Sequence, residues 1–168
     1  NLGRMAAMEP PDLAGGRIAV EAGVILARLH DALDGTGQMF PLHLGAEGSA
    51  QIGGLIGTNA GGSQAFRYGM MQDLVLGLEV VLPDGAVWDG LRGVQKDNAG
   101  YQLRKLFCSA EGTLGVVTRA VLRLHPAPRQ RVTALLAPPS FEAAVEFGAD
   151  IRAEAGEFVK AMEFFSET

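Results

Sequence analysis

A glycine-rich stretch near the middle of the chain carries the strongest chemical signal. Seven of the 23 glycines fall between Gly45 and Gly62. Because glycine has no Cβ, its backbone N–H group can approach a ligand closely, and the residue accepts positive φ. A run of such amides fits an anion such as a phosphate or pyrophosphate. The stretch therefore predicts a nucleotide-type cofactor. The alternative is a flexible loop, which the interleaved Ile, Leu and Asn residues disfavour.

The order of the glycines excludes two common phosphate-binding motifs. No G-x-G-x-x-G follows a strand, and no Gly-Lys-Ser/Thr is present. The run from Ile52 to Gly62 instead predicts a short helical turn between glycine-rich ends, with several N–H groups aimed at one anionic centre. Thr58 and Asn59 can add side-chain donors.

Two further turns are candidates for function. Residues 111–118 form a second glycine cluster that leads directly into a strand. If this cluster belongs to a ligand site, its backbone N–H and C=O groups would bind the edge of a flat heteroaromatic ring. The alternative is a turn that only connects two elements. Residues 97–101 form a third polar turn. Its alternatives are a functional loop and a helix N-terminus capped by Asp97 or Asn98.

The elements that position these turns follow from periodicity and from turn residues. Pro83-Asp84-Gly85 predicts a hairpin, and the Pro126-Ala127-Pro128 run predicts a boundary, with Ser140 as a helix N-cap after it. The predicted strands are 18–22, 74–82, 86–89, 116–124, 132–137 and 158–165, and the predicted helices are 24–33, 101–107 and one starting after Ser140.

Composition narrows the class of protein. The net charge of −5 and the lack of a basic cluster argue against nucleic-acid binding, and no apolar run is long enough to span a bilayer. The single cysteine, Cys108, excludes an intrachain disulfide and reads as a small buried hydrophobe, since no cationic partner for a catalytic thiol lies nearby. One cysteine fits a reducing compartment, and we expect a cytoplasmic protein.

Together these motifs resemble the FAD-binding domain of the vanillyl-alcohol oxidase and p-cresol methylhydroxylase superfamily. Within that superfamily they are most similar to the D-2-hydroxyglutarate dehydrogenase and D-lactate dehydrogenase group. The motifs that carry the resemblance are Pro41-Leu42-His43-Leu44-Gly45, Ile52-Gly53-Gly54, Thr58-Asn59-Ala60-Gly61-Gly62, Arg67-Tyr68-Gly69, Gly77 to Gly85, Lys96 to Tyr101, Glu111 to Gly115 and Ala161 to Phe164.

The resemblance implies an α+β fold and an FAD site divided between the two glycine stretches. Residues 1–127 would be the second FAD-binding subdomain of the p-cresol methylhydroxylase type, and residues 128–168 would begin a ferredoxin-like substrate domain. The residues implied to contact FAD are Pro41, Gly45, Ser49, Ile52, Gly53, Gly54, Thr58, Asn59, Gly61, Gly62, Glu111, Gly112, Gly115, Val116 and Val117.

The chain also departs from the family's pattern. Its first pyrophosphate loop would precede Leu2, and its metal-binding histidines, catalytic histidine and substrate arginine would follow Thr168, so we expect a piece of a longer protein. No catalytic or metal-binding residue is assigned here. The three histidines are scattered along the sequence, and His30 and His125 read as surface residues. His43 stands where the family usually carries Asp, and so does Gln102.

The resemblance implies that FAD oxidises a small D-2-hydroxy acid by accepting a hydride. The sequence identifies neither the hydroxy acid nor the electron acceptor. The alternatives are a folded fragment that binds no cofactor and a transferase with the same FAD domain, such as alkyl-dihydroxyacetone-phosphate synthase. Apolar surface should remain exposed where further parts of the protein dock, and it would favour oligomer contacts such as a homodimer.

Overall fold

An antiparallel four-stranded sheet forms the centre of the fold. A computed structural model describes residues 2–165. The strands are β1 (Arg17–Glu21), β2 (Gln38–Met39), β3 (Val75–Val81), β4 (Val87–Gly90), β5 (Val116–Arg123) and β6 (His125–Pro126). The sheet has the order β1-β5-β3-β4, and β2 pairs with β6 in a separate two-stranded ribbon. The predicted α+β class and the antiparallel sheet are confirmed, and β1 adds an edge strand outside the predicted 74–124 span.

Residues 2–165 form six helices besides this sheet, and three of them are a single turn of four residues. The helices are α1 (Leu26–Leu33), α2 (Ile52–Gly57), α3 (Ala65–Tyr68), α4 (Met71–Leu74), α5 (Arg104–Phe107) and α6 (Phe141–Ala155). Helices this short are unstable alone in water. Helices α1 and α2 persist because their apolar side chains are buried in the core, as with Leu26 and Leu29 of α1 and Ile52 and Ile56 of α2, each 0% exposed, whereas α3 and α6 bury no side chain. Each such buried side chain contributes about 1.5 to 3 kcal/mol.

The burial of β5 departs from the half-buried alternation that its sequence predicts, because Val117 and Val121, on the same face as the arginines, are each only 7% exposed. On β5, Ala120 and Leu122 are fully buried, whereas Arg119 and Arg123 on the other face are only partly covered. The predicted hairpin is confirmed, because Gly85 adopts φ +84° and donates its N–H to the Leu82 carbonyl at 2.9 Å. The second glycine cluster leads directly into β5, and the pairing of Val81 with Val116 therefore places it beside the end of β3.

The segment after residue 127 differs from its prediction. Residues 132–137 and 158–165 form no strand, and Val132 and Leu135 are 93% and 90% exposed. An isolated strand cannot satisfy its backbone or bury its apolar face without a neighbouring strand, and residues 2–165 supply none here. Only α6 forms. Its predicted N-cap is confirmed, because the Ala143 N–H donates to Ser140 Oγ at 3.2 Å.

Two smaller predictions also change. The 101–107 helix is reduced to α5, and Tyr101 is 96% exposed ahead of it. Asp97 does not cap a helix: its Oδ1 accepts from the Ala99 N–H at 3.1 Å within its own turn. A carboxylate that closes a local turn competes with a helix start, which explains the shift of the helix toward Arg104.

Candidate functional site

The first glycine stretch (residues 45–62) is anchored to the end of β1. The Ile52 N–H donates to the Val24 carbonyl at 2.9 Å, and the Gly53 N–H donates to the Ala22 carbonyl at 2.7 Å. These bonds fix the start of α2 against the core. These bonds occupy two of the backbone N–H groups that the sequence predicted to bind an anion. Ile52 and Gly53 can therefore contact a ligand by van der Waals packing but cannot donate these N–H groups to it.

Other backbone N–H groups of the same stretch form no hydrogen bond to the protein among the described residues. Within the described chain, the N–H groups of Gly45, Gly48, Gly54, Gly61 and Gly62 donate to no protein acceptor. Three of these residues line a solvent-open cleft of about 440 Å³, together with His43, Leu44, Glu47 and Ser63. Backbone donors that face an open cleft are suited to bind an anionic ligand.

The room for a Cβ atom beside each glycine distinguishes glycines that the fold requires from glycines that leave space for a ligand. A Cβ added to Gly53 would lie 2.8 Å from Ala22 Cβ, and one on Gly62 would collide with the His43 backbone. Those glycines are required by the fold itself. Beside Gly45, Gly48 and Gly54, by contrast, no atom lies within 4 Å of the Cβ position. Their missing side chains leave room that the protein does not use, which fits a cofactor lying against the backbone.

Thr58 and Asn59 serve the fold first. Thr58 Oγ1 donates to the Gly54 carbonyl at 3.0 Å, so its hydroxyl is left as an acceptor. Asn59 adopts φ +47°, and its Oδ1 accepts from the Gln72 N–H at 2.9 Å. Asn59 therefore links the glycine stretch to α4, and only its amide NH₂ remains to meet a ligand.

The second glycine stretch (residues 111–117) contacts the first at the C-terminus of α2. The Glu111 N–H donates to the Gly57 carbonyl at 3.0 Å, and the Ser109 N–H donates to the Ile56 carbonyl at 3.3 Å. Gly112 has φ +79° and open space beside it. The two stretches thus lie side by side while their glycines stay accessible, as a divided cofactor site requires.

Backbone strain concentrates at this junction. Among residues 2–165, the non-glycine residues with positive φ are Asn59, Ser109 and Glu111, at +47°, +68° and +48°. Serine and glutamate in this region cost of order 1 to 2 kcal/mol each. Strained backbone held by surrounding structure is a feature of ligand sites.

The remaining predicted cofactor residues are spread over core and surface. Pro41 and Val117 are buried, whereas Ser49 and Val116 are exposed. Ser49 Oγ donates to the Ala46 carbonyl at 3.4 Å. Gly115 adopts φ +157°, and a Cβ there would meet Val80 and the Val81 carbonyl. Because Pro41 and Val117 are buried, they can support the site only by packing under its surface residues.

A histidine cluster that the sequence did not predict borders the cleft. The rings of His30 and His43 lie 4.5 Å apart, centroid to centroid, and the Glu47 carboxylate contacts Nδ1 of both. Burial, and next the neighbouring His43, lowers the pKa of His30 below its ordinary value. Burial raises the pKa of Glu47, but the hydrogen bond and charges of the two histidines outweigh it, so this pKa is lowered.

The predicted surface position of His30 and His125 is therefore wrong, and His30 and His43, although separated in the sequence, meet in the fold. The His30 side chain is 18% exposed. His125 packs edge-on against Tyr68, with ring centroids 4.9 Å apart. Burial, followed by Arg123 and Arg67, lowers the pKa of His125. The i,i+4 spacing of His43 and Glu47 was the one signal in the sequence, whereas the approach of His30 depends on the packing of α1.

Cys108 is buried, as predicted. It is 6% exposed, and its Sγ lies 3.6 Å from the Arg104 carbonyl. The expectation that no cationic partner lies nearby is wrong, because Arg104 and Lys105 act to lower the pKa of the thiol, but burial is the larger effect and raises it. A protonated, covered thiol is a poor nucleophile.

The fold and the two adjoining glycine stretches are those expected of a domain that binds a dinucleotide cofactor. Residues 1–90 match the family model described as FAD binding domain. Since that match covers more than half of the chain, the protein belongs to this family of FAD-binding domains, and FAD is its cofactor.

Relatives of known name extend the similarity beyond that region. The chain is 43% identical over 149 residues to the mitochondrial D-2-hydroxyglutarate dehydrogenase of Bos taurus, covering 89% of this chain and 27% of that protein. It is 38% identical over 168 residues to a mitochondrial protein of Schizosaccharomyces pombe that is provisionally named a D-lactate dehydrogenase, covering all of this chain and 32% of that protein. The chain thus spans about a third or less of these relatives.

A solved structure gives the same fold. Alkyldihydroxyacetonephosphate synthase superposes with a TM-score of 0.72 at 25% identity, over 89% of this chain and 27% of that one. The similarity confirms the predicted FAD-binding fold of the p-cresol methylhydroxylase type. Separately, none of the helices in residues 2–165 is long and apolar enough to cross a membrane.

Proposed function

We propose that this chain is the FAD-binding part of a dehydrogenase that oxidises a D-2-hydroxy acid, such as 2-hydroxyglutarate or lactate, to the 2-oxo acid. One observation carries the proposal: relatives named for these two activities match 89% and 100% of the chain at 43% and 38% identity. The whole-chain match includes both glycine stretches.

The chain's own contribution is to bind and orient the cofactor. The free N–H groups of Gly45, Gly54, Gly61 and Gly62 would hold the anionic and ribityl parts, and the backbone around Gly112 would border the adenosine half. When bound, FAD supplies the hydride acceptor that the oxidation of a hydroxy acid requires. The assignment of contacts to individual residues stays a prediction.

A transferase reaction is the second candidate. It is favoured by the superposition on alkyldihydroxyacetonephosphate synthase, which has 25% identity to this chain. The dehydrogenase relatives reach 43% identity over a similar share of the chain. The higher identity supports oxidation of a hydroxy acid.

Several finer predictions belong to this proposal. The division into a cofactor domain at 1–127 and the start of a substrate domain at 128–168 stays a prediction. A cytoplasmic location also stays a prediction, because the named relatives are mitochondrial proteins. A homodimer likewise stays a prediction. Exposed Val132, Leu135 and Phe165 provide apolar surface for such contacts, at 93%, 90% and 77% exposure.

The test has two stages. FAD is titrated into the purified chain and followed by flavin fluorescence, and only weak binding is expected because the first pyrophosphate loop is predicted to precede Leu2. Tight, saturable binding by this chain alone would rule out the folded fragment that binds no cofactor. The full-length gene product, loaded with FAD, is then mixed anaerobically with D-2-hydroxyglutarate or D-lactate. Bleaching of the flavin absorbance is expected with the D acids and not with the L acids. A flavin that neither acid reduces would contradict the dehydrogenase.

A further inference from the structure

A carboxylate lies between two imidazoles beside the cleft. His43 Nδ1 lies 2.8 Å from Glu47 Oε1, and His30 Nδ1 lies 3.5 Å from Glu47 Oε2. One ligand atom from each of the three residues can be chosen so that all lie within 4.8 Å of one another. His30 comes from α1, whereas His43 and Glu47 come from the loop before α2.

These spacings suit a tetrahedral metal ion. Zn²⁺ binds nitrogen and carboxylate oxygen at roughly 2.0 to 2.2 Å, so its ligand atoms lie about 3.3 to 3.6 Å apart. The His30–Glu47 spacing of 3.5 Å already falls in that range. The His43 spacing of 2.8 Å is to the other carboxylate oxygen, Oε1, so the Glu47 side chain must shift to bring one oxygen into this range of both nitrogens. Two histidines and one carboxylate are also a set that leaves a fourth position free for water or substrate.

The protein holds the three side chains in place and leaves them accessible. The Leu44 N–H donates to Glu47 Oε1 at 3.2 Å, which orients the carboxylate. The Ser63 N–H donates to the His43 carbonyl at 3.0 Å, which fixes the backbone of His43 against the glycine stretch. His43 and Glu47 both line the cleft, and His43 is 35% exposed. An ion can therefore enter from solvent, as a binding site requires.

We propose that His30, His43 and Glu47 bind one divalent transition-metal ion of the zinc class, at the edge of the cofactor cleft. The ion would link α1 to the loop that precedes α2. This site lies in the FAD-binding part of the chain and is separate from the histidines that the family resemblance puts beyond Thr168. Without a metal, the same residues would be a hydrogen-bonded His–Glu–His group, and that is the rival explanation.

Metal titration of the chain without FAD separates the two, so the result does not depend on the proposed function. Zn²⁺ is added to the metal-free chain in a calorimeter, and Co²⁺ is added in parallel to observe the visible absorption of a tetrahedral site. One equivalent should bind with a Kd at or below the micromolar range. His30→Gln and Glu47→Gln should each weaken binding at least about 100-fold, since even outer-shell changes cost 10- to 100-fold.

His125→Gln is the matched control, because His125 is another partly buried histidine away from the cluster, and it should bind Zn²⁺ as the wild type does. Circular dichroism checks each variant for folding, and His43→Asn replaces any variant that unfolds. Absence of saturable binding in the wild type would overturn the proposal. Equal binding by wild type, His30→Gln and Glu47→Gln would also overturn it, and would leave the hydrogen-bonded group as the explanation.

Discussion

Gly53 and Gly54 are neighbours in α2 with opposite expected responses to a methyl group. A Cβ on Gly53 would lie 2.8 Å from Ala22 Cβ and 3.2 Å from the Ala22 carbonyl oxygen. On Gly54 the same atom would meet nothing within 4 Å. Alanine at Gly53 therefore tests the packing of α2 on β1, and alanine at Gly54 tests the space left for a ligand.

The expected cost at Gly53 comes from two terms. Overpacking a well-filled position costs about 1 to 3 kcal/mol. Moving α2 away from β1 stretches the bond from the Gly53 N–H to the Ala22 carbonyl, now 2.7 Å, and such a bond contributes about 0.5 to 1.5 kcal/mol. Alanine regains roughly 1 kcal/mol of helix propensity at either position. We expect Gly53→Ala to lower the free energy of unfolding by about 1 to 3 kcal/mol, and Gly54→Ala to keep or slightly raise it.

Urea unfolding of both variants measures these values, and FAD titration measures the second effect. If FAD lies against the backbone at Gly54, its alanine variant should bind FAD at least about tenfold more weakly, a loss of about 1.4 kcal/mol. A Gly53→Ala variant as stable as wild type would refute the packing argument. A Gly54→Ala variant that is stable and binds FAD with unchanged Kd would show that the cofactor does not approach this glycine.

Three further predictions concern residues outside α2. Burial, followed by Arg123 and Arg67, lowers the pKa of His125, so the unfolded state takes up a proton more readily than the folded state. The contribution of neutral His125 to stability should therefore be complete above pH 6.5 and should fall as the pH drops below it. Urea unfolding between pH 5 and about pH 7.5 should show that His125→Gln flattens this dependence. Cys108 should react with a thiol reagent orders of magnitude more slowly in the native chain than in urea, and equal rates would contradict its burial. Ser140→Ala should cost α6 about 1 kcal/mol, seen as faster amide hydrogen exchange within the helix; since α6 has no buried residue, an equally large loss of global stability would be inconsistent with this structure.

The sequence by itself determined the parts of the fold that depend on local chemistry. The Pro83-Asp84-Gly85 turn and the Ser140 cap each specify their structure within a few residues, and both are confirmed. The glycine stretches likewise predicted a backbone-lined cofactor site. The fold itself requires Gly53 and Gly62, whereas the open space beside Gly45, Gly48 and Gly54 fits a ligand. The match to the family of FAD-binding domains supports that inference.

The tertiary structure alone decided which groups of that site are free and which residues meet. The Ile52 and Gly53 amides are used by β1 and its following turn, a pairing across about 28 to 31 residues that no local pattern encodes. Packing of α1 against the core brings His30 to His43 and Glu47. The strands expected at 132–137 and 158–165 are absent from the described chain for the same reason: a strand's stability is set by the neighbours it pairs with, and its sequence specifies only its readiness to pair.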